Sequence, residues 1–293
     1  MCSAFKFKNC FGRNFDYEES YNEELIIIPP TENRYPTNKK IIGIGIIADD
    51  YPLLYDGMNS EGLCVAGLSF PSNAKYSNED DDNIISNIPS YDVTLFILSN
   101  CKTVNQCKGL FESANITNYS FEDINPSPLH WIVSDNKETI VIEQTKEGLN
   151  VYDNPLEVLT NNPPFPQMFN VISENMEQIG KYQVNYDTRG KETFLLSGGY
   201  TSMERFQRLA YLKQQAEKQD KFDEVETTFH LLQSVEQIYG ATPVKDKYEY
   251  TIYSAVYDTK NLELYIRKYD DIIYKEILPT QIYDVNYLYR EKI

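Results

Sequence analysis

Met1-Cys2-Ser3-Ala4-Phe5-Lys6-Phe7-Lys8-Asn9-Cys10 opens the chain, and how it is read decides the rest. Ser3 to Lys8 alternates well enough to be a strand, with a turn at Asn9-Cys10. A strand there fixes Cys2 at the mouth of a sheet. Loss of Met1, which the small second side chain permits, would leave Cys2 with a thiol nucleophile and a free α-amine on one Cα. An α-amine has a reference pKa of about 7.7–8.0, so near neutral pH much of it is unprotonated and able to take the thiol proton. Thiolates attack carbonyl carbons well. Taken alone, Cys2 is better read as an ordinary residue at a frayed terminus; the sequence that follows argues otherwise.

Composition bounds the function. A chain of 293 residues suggests two domains by length alone, although layered sheet folds of this size are often single. With 41% hydrophobic and 24% charged residues it reads as an ordinary soluble globular protein. A net charge of −17 argues against broad binding to nucleic acid or to an anionic membrane surface. Two or three arginines in a pocket could still reverse the sign locally for a small anionic substrate. The longest apolar stretch, Ile41 to Ala48, is far too short to span a bilayer. No charged region followed by an apolar one marks a signal peptide, so a cytoplasmic location is expected. The cysteines at 2, 10, 64, 101 and 107, odd in number and without CxxC spacing, fit reduced thiols better than a disulfide frame or a zinc site.

Within fifteen residues of Cys2, Phe11-Gly12-Arg13-Asn14-Phe15-Asp16-Tyr17 sets an arginine and an aspartate among aromatics. A surface salt bridge is one reading; a pair that holds the α-amine and tunes the thiol is the other. Leu25 to Ile28 and Ile41 to Ala48 read as strands. The glycines at 43 and 45 lack the third glycine and the helix of a dinucleotide site. Tyr51 to Phe70 reads as two further strands around a turn, the second rich in small residues. Glu79-Asp80-Asp81-Asp82 lacks the spacing of a calcium loop and reads as a solvated loop.

Asp92 to Asn100 and Thr103 to Ser113 are helical by pattern, each led by a capping residue. His130 to Ser134, Thr139 to Gln144 and Leu149 to Tyr152 read as a meander. His130 and His230, the only histidines, have no metal-spaced neighbours and read as packing or hydrogen-bonding residues. Catalysis without a histidine base is therefore required, and the α-amine supplies one. Val158 to Pro163 ends a strand and turns sharply. There Asn161 is open to two readings, turn chemistry or an amide donor to an oxyanion. Phe165 to Ile179 reads as a helix, and polar Lys181 to Gly199 as a loop over the site. Met203, Phe206, Leu209, Ala210 and Lys213 mark one further helix face; Val225, Phe229, Leu232 and Val235 mark another, which stops at Gly240. Tyr250 to Tyr257 and Leu262 to Tyr269 form a hairpin.

Eight stretches together resemble the choloylglycine hydrolase family. They are Met1-Cys2-Ser3, Phe11 to Asp16, Asp56-Gly57-Met58-Asn59, Leu129-His130-Trp131, Val141-Ile142-Glu143-Gln144, Val158 to Pro163, Glu204-Arg205-Phe206 and Tyr250-Thr251-Ile252-Tyr253. The family comprises bile salt hydrolases and penicillin V acylases, which are N-terminal nucleophile hydrolases, and the resemblance runs from Cys2 to roughly Tyr269.

The resemblance implies an α+β fold, a four-layer αββα sandwich of two antiparallel sheets, as a single domain over 2–293 that assembles as a homotetramer. It implies Cys2 as nucleophile, its α-amine as base and Asp16 as the group that holds the amine. Arg13 and Arg205 would stabilise the thiolate and the reacting centre, while the Asn161 side chain and the Ser69 backbone N–H would receive the oxyanion. No metal or organic cofactor is implied, and the partner is a small acyl-amide substrate. Ser69 stands where bile salt hydrolases typically carry Asn and penicillin V acylases Tyr. Gln167-Met168 replaces the family's aromatic-histidine pair, and Gly198-Gly199-Tyr200-Thr201 is a shortened form of its glycine-rich loop. Asp50-Tyr51-Pro52, Ala66-Gly67-Leu68 and Gln144-Thr145-Lys146 lie nearer the bile salt hydrolase pattern. The expected activity is hydrolysis of glycine- or taurine-conjugated bile acids. Penicillin V or another N-acyl amide, such as an acyl-homoserine lactone, is the alternative, and a ligand-binding homologue without turnover is the alternative of another class.

Overall fold

The structure, a computed structural model, describes residues 1–78, 86–181, 189–270, 275–277 and 286–293. Strands β1 (Cys2–Phe7), β2 (Cys10–Tyr17), β3 (Glu24–Ile28), β4 (Ile41–Ala48), β5 (Tyr51–Asn59), β6 (Cys64–Ser69) and β7 (Ser86–Pro89) precede helices α1 (Val93–Asn100) and α2 (Val104–Phe111). Next come β8 (Ala114–Thr117), β9 (Leu129–Ser134), β10 (Thr139–Thr145), β11 (Gly148–Asp153) and β12 (Val158–Leu159). Helices α3 (Phe165–Met176), α4 (Ser202–Ala216) and α5 (Glu224–Gln233) follow. Then come β13 (Thr242–Val244), β14 (Lys247–Asp258), β15 (Glu263–Lys268), β16 (Lys275–Ile277) and β17 (Tyr289–Lys292).

Two large antiparallel sheets result. The first runs β12-β1-β2-β14-β15-β16 with β13 beside β14, and the second runs β11-β10-β9-β6-β5-β4-β3-β17. Side chains alternate across a strand, so the inner strands of the second sheet serve two cores. Leu25, Ile27, Ile42, Ile44, Ala66, Leu68, Ile132 and Val141 share a core with the first sheet. Their neighbours Ile26, Ile28, Ile41, Val65, Val133, Ile140 and Ile142 pack instead with Val93, Ile97, Val104 and Phe111 of α1 and α2.

The first sheet is sorted in the same way. Phe5, Gly12 and Val256 lie side by side across β1, β2 and β14. A Cβ on Gly12 would come 2.8 Å from Thr228 of α5. Small size at that position lets the helix sit down on the sheet. Phe206, Leu209, Phe229 and Leu232 of α4 and α5 join the same core. The order is therefore helices α3 to α5, first sheet, second sheet, helices α1 and α2, the four-layer αββα arrangement implied by the resemblance.

Some elements differ from the sequence reading. Phe11 to Tyr17, given no element there, is most of β2. Helix α5 ends at Gln233 instead of Gly240, because the following chain docks on β14: Gln237 N–H donates to Thr251 Oγ1, and Thr251 N–H to the Gln237 carbonyl. Helix α3 ends at Met176. Thr103 caps α2 as expected, whereas Asp92 makes no cap to α1. Its carboxylate is taken by Arg34, Tyr35 and Tyr51. The Glu79–Asp82 run and residues 182–188 of the loop lie outside the described residues. No helix of the described chain is long and apolar enough to cross a membrane.

Candidate active site

The β1–β2 register pairs Cys2 with Phe15 and Ala4 with Arg13. Cys2 and Arg13 therefore share the face turned toward the second sheet, while Ser3, Asn14 and Asp16 share the face turned toward α4 and α5. The first strand thus gives Cys2 different partners on each side.

On the inner side, Arg13 Nη2 lies 3.7 Å from Cys2 Sγ and 2.9 Å from the Gly67 carbonyl. Arg13 Nη1 is held by Asp56, which also accepts the hydroxyls of Tyr253 and Tyr257. All four side chains are buried. Burial opposes the Arg13 charge, but the Asp56 carboxylate paired with it helps to outweigh burial and keep the guanidinium protonated. Burial also raises the pKa of Tyr253 and Tyr257, which leaves their hydroxyls as neutral donors.

On the outer side, Arg205 of α4 grips the backbone beside the sulfur. Its Nη1 donates to the Cys2 carbonyl at 2.7 Å and to Ser3 Oγ, and its Nη2 to Asn161 Oδ1 at 2.8 Å. Asp16 Oδ2 stands 3.9 Å from Arg205 Nη1. Thr251 donates to Asp16 Oδ1 at 2.6 Å, but Oδ2 is buried without a hydrogen-bond partner among the described residues. Burial pushes the Asp16 carboxyl up, and Arg205, the terminal amine and Thr251 pull it back. The Met1 amine donates to the Asp16 carbonyl at 2.8 Å and pairs with Glu249. Burial lowers its pKa.

Asn161, just past β12, joins the two sides. Its Oδ1 accepts the Cys2 N–H at 2.8 Å, and its Nδ2 donates to the Ser69 carbonyl at 2.7 Å. Ser202 Oγ, at the start of α4, accepts the Asn161 backbone N–H at 2.8 Å and so ties this loop to the helix that carries Arg205. Phe70 N–H donates to the Pro128 carbonyl, which makes Ser69 and Leu129 the non-bonded pair of the β6–β9 ladder. The Ser69 N–H and C=O consequently point away from β9, toward the edge where the carbonyl meets Asn161.

Cys2, Arg13 and Gly67 open into a cavity of about 240 Å³ walled by Tyr55, Leu53 and Leu129, among others. Phe15 stacks between Tyr17 and Tyr55, with centroid separations of 4.8 and 4.9 Å, and forms one wall. His130 is a structural residue, as its surroundings in the sequence suggested. Its ring bonds Glu143 and the Thr160 carbonyl, each at 2.9 Å, and stacks on Phe70. Among the described residues no three His, Cys, Asp or Glu side chains converge as a metal site.

Cys2, Arg13, Asp16, Ser69, Asn161 and Arg205 thus come together in one connected cluster. The sequence reading gave no role to Asp56, Thr251 or Glu249. Asp56 and Thr251 stand in stretches that carry the resemblance, which is the signal that could have found them.

Residues 2–281 match the family of linear amide C–N hydrolases, choloylglycine hydrolase family. The chain belongs to the choloylglycine hydrolase family. As a member it is a hydrolase of linear amide C–N bonds. The bile salt hydrolase/transferase of Lactiplantibacillus plantarum is 40% identical, covering 92% of this chain and 90% of its own length. The bile salt hydrolase/transferase of Clostridium perfringens is 37% identical over 84% of this chain and 80% of its own. The crystal structure of a cysteine-to-alanine mutant of the conjugated bile acid hydrolase from Clostridium perfringens superposes with a TM-score of 0.89, at 32% identity over 100% of this chain and 97% of that one. Penicillin V acylase from Agrobacterium tumefaciens, at 18% identity and a TM-score of 0.74, covers 96% of this chain and 87% of its own, and shares the fold.

Proposed function

We propose that this member of the choloylglycine hydrolase family releases glycine or taurine from conjugated bile salts, with Cys2 as an N-terminal nucleophile. The observation that carries the reading is the position of Cys2 Sγ: it lies at an apolar cavity, 3.7 Å from a guanidinium held by buried Asp56. The names of the relatives at 40% and 37% identity supply the substrate class.

In the working form Met1 is absent and Cys2 carries a free α-amine. The amine takes the thiol proton, and the thiolate attacks the amide carbonyl carbon. Charge develops on the carbonyl oxygen, where the second N–H of Asn161 Nδ2 and the Ser69 N–H serve as donors. The α-ammonium returns its proton to the amide nitrogen, the C–N bond breaks, and glycine or taurine leaves. The acyl group stays on sulfur as a thioester. Water then attacks the thioester with the amine as base, releasing the bile acid and restoring the thiol.

Asp16 Oδ2, buried and unpartnered beside β1, supports the processed form: it is an acceptor suited to the new ammonium. Arg205 acts through the Cys2 and Asn161 backbone and amide contacts, as a positioning residue. A cytoplasmic homotetramer of single-domain subunits remains part of the proposal.

The test is amine release from glycocholate, taurocholate, penicillin V and an N-acyl-homoserine lactone under one set of conditions. Glycine or taurine release at the highest kcat/KM supports the reading. Preference for penicillin V or the lactone would move the substrate class, and binding without turnover would favour a ligand-binding homologue.

A further inference from the structure

Ser90 begins a short 3-10 turn, Ser90–Asp92, that leads into α1. The residue borders the cavity that starts at Cys2 and is only 2% exposed. Ser90 Oγ has no hydrogen-bond partner among the described residues. A buried hydroxyl without a partner is costly and uncommon, and beside a cavity a molecule that enters can supply one.

The surroundings single this hydroxyl out. Ile46, Leu53, Leu54 and Leu129 make the nearby wall aliphatic. Asn125 and Ser127, which also border the cavity, are exposed. The neighbouring Tyr91 hydroxyl is engaged by Arg34.

Ser90 is also held in place. Two residues on, the buried Asp92 accepts from Arg34 at 3.0 Å and from Tyr35 and Tyr51 at 2.6 Å each. Phe121 stacks on Tyr51 and meets Tyr91 edge-on, both at 5.3 Å. This explains why Asp92 does not cap α1: its carboxylate pins the turn that carries Ser90.

Cys2 and Arg13 come from the first sheet, whereas Ser90 comes from the segment entering the helix layer beyond the second. One cavity is therefore bordered by Cys2 from one layer and by Ser90 from another.

We infer that Ser90 is a specificity residue that hydrogen-bonds a hydroxyl or carbonyl on the acyl group, remote from the scissile amide. The acyl groups favoured are then apolar bodies with a polar substituent at the far end. For bile acids this deepens the function proposed above and rests on it, but the hydrogen bond itself does not require a steroid.

Two substrate series test it with wild type, Ser90→Ala and Ser90→Thr. One compares the glycine conjugates of cholic, deoxycholic and lithocholic acids with that of unsubstituted 5β-cholanic acid. The other compares N-(10-hydroxydecanoyl)glycine with N-decanoylglycine. In wild type the hydroxylated member of a series has the higher kcat/KM. Ser90→Ala lowers that ratio by about three- to tenfold, the size of one net hydrogen bond, chiefly through KM, and Ser90→Thr restores it.

A fall shared equally by hydroxylated and unsubstituted substrates, or an unchanged ratio, overturns the inference while leaving the bile salt reading intact. Silence in the steroid series, with Ser90-dependent preference in the decanoyl series, overturns the bile salt reading and keeps the inference. Turnover of neither series overturns both.

Discussion

Arg13 places one guanidinium nitrogen 3.7 Å from the Cys2 sulfur while Asp56 holds the other, so the cation that faces the thiol is fixed from behind by a buried carboxylate. The pair joins the two sheets, Arg13 standing on β2 and Asp56 on β5. Its members are 1% and 0% exposed, so neither has water to replace a lost partner.

Asp56→Asn should therefore be destabilising as well as inactivating. Removing one partner from a buried pair typically costs about 3–5 kcal/mol, because the other charge stays buried without compensation. Urea denaturation should show a loss of that size, against about 1 kcal/mol for Tyr253→Phe, which removes one neutral donor from the same carboxylate. Equal, small losses in the two variants would mean that Asp56 does not anchor Arg13.

Asp16 should trade stability for function. Burial, opposed in part by Arg205, raises its carboxyl pKa. A carboxyl raised on folding contributes stability that is fully present below its unfolded value of about 3.9 and is lost as pH rises through the folded one. Ionised Asp16 thus costs stability at neutral pH. Asp16→Asn should melt no lower than wild type at pH 7, with the difference closing toward pH 4, while amide hydrolysis collapses. Equal destabilisation at both pH values would contradict the sign.

Asn161→Ala removes the acceptor for the Cys2 N–H and Arg205 and the proposed oxyanion donor together. Loss of one such donor commonly lowers kcat by roughly 100- to 1000-fold, and at least that is expected here. A change confined to KM would remove Asn161 from the reacting centre.

Thiol labelling should distinguish Cys2 from the other four cysteines. All five are buried, but Cys2 alone among them lines the cavity. Burial pushes the Cys10, Cys64 and Cys107 thiols up, so they should resist iodoacetamide in the native protein. Burial also shields Cys101, although its pKa is lowered by a hydrogen bond with Cys107. Peptide mapping after brief treatment at pH 7.5 should find the label on Cys2. Prior modification of Cys10 or Cys64 would contradict the described packing.

The fold was legible where local pattern and long-range packing agree. Ile41 to Ala48 becomes β4, and Tyr250 to Tyr257 lies within β14, because continuous apolar or β-branched runs suit strands buried between layers. Capping by Asp92 was misread because its partners, Tyr35 and Tyr51, lie 57 and 41 residues away. Local propensity cannot show that a good capping residue is already engaged. The end of α5 was missed for the same reason, since the docking of Gln237 against Thr251 spans 14 residues.

For the candidate site, the eight motifs held Cys2, Arg13, Asp16, Asn161 and Arg205 but not Ser69, and did not tell which atom faces which. That Arg13 meets the sulfur while Arg205 grips the carbonyl follows from the two faces of β1 and β2. That alternation appears only once the register pairs Cys2 with Phe15. Asp56 lay in plain view in Asp56-Gly57-Met58-Asn59, yet its role depends on β5 packing opposite β2. Ser90 carried no motif at all, and only its burial without a partner marks it.

The central claim is that Cys2, freed of Met1, carries the acyl group. Its most direct test is the intact mass of protein acid-quenched during turnover of glycocholate, with peptide mapping on the same sample. The account predicts a chain that begins at Cys2 and bears one cholyl group on that residue, and no such adduct in Cys2→Ala. A chain that turns over with Met1 still attached, or an acyl group found on any other residue, would contradict it.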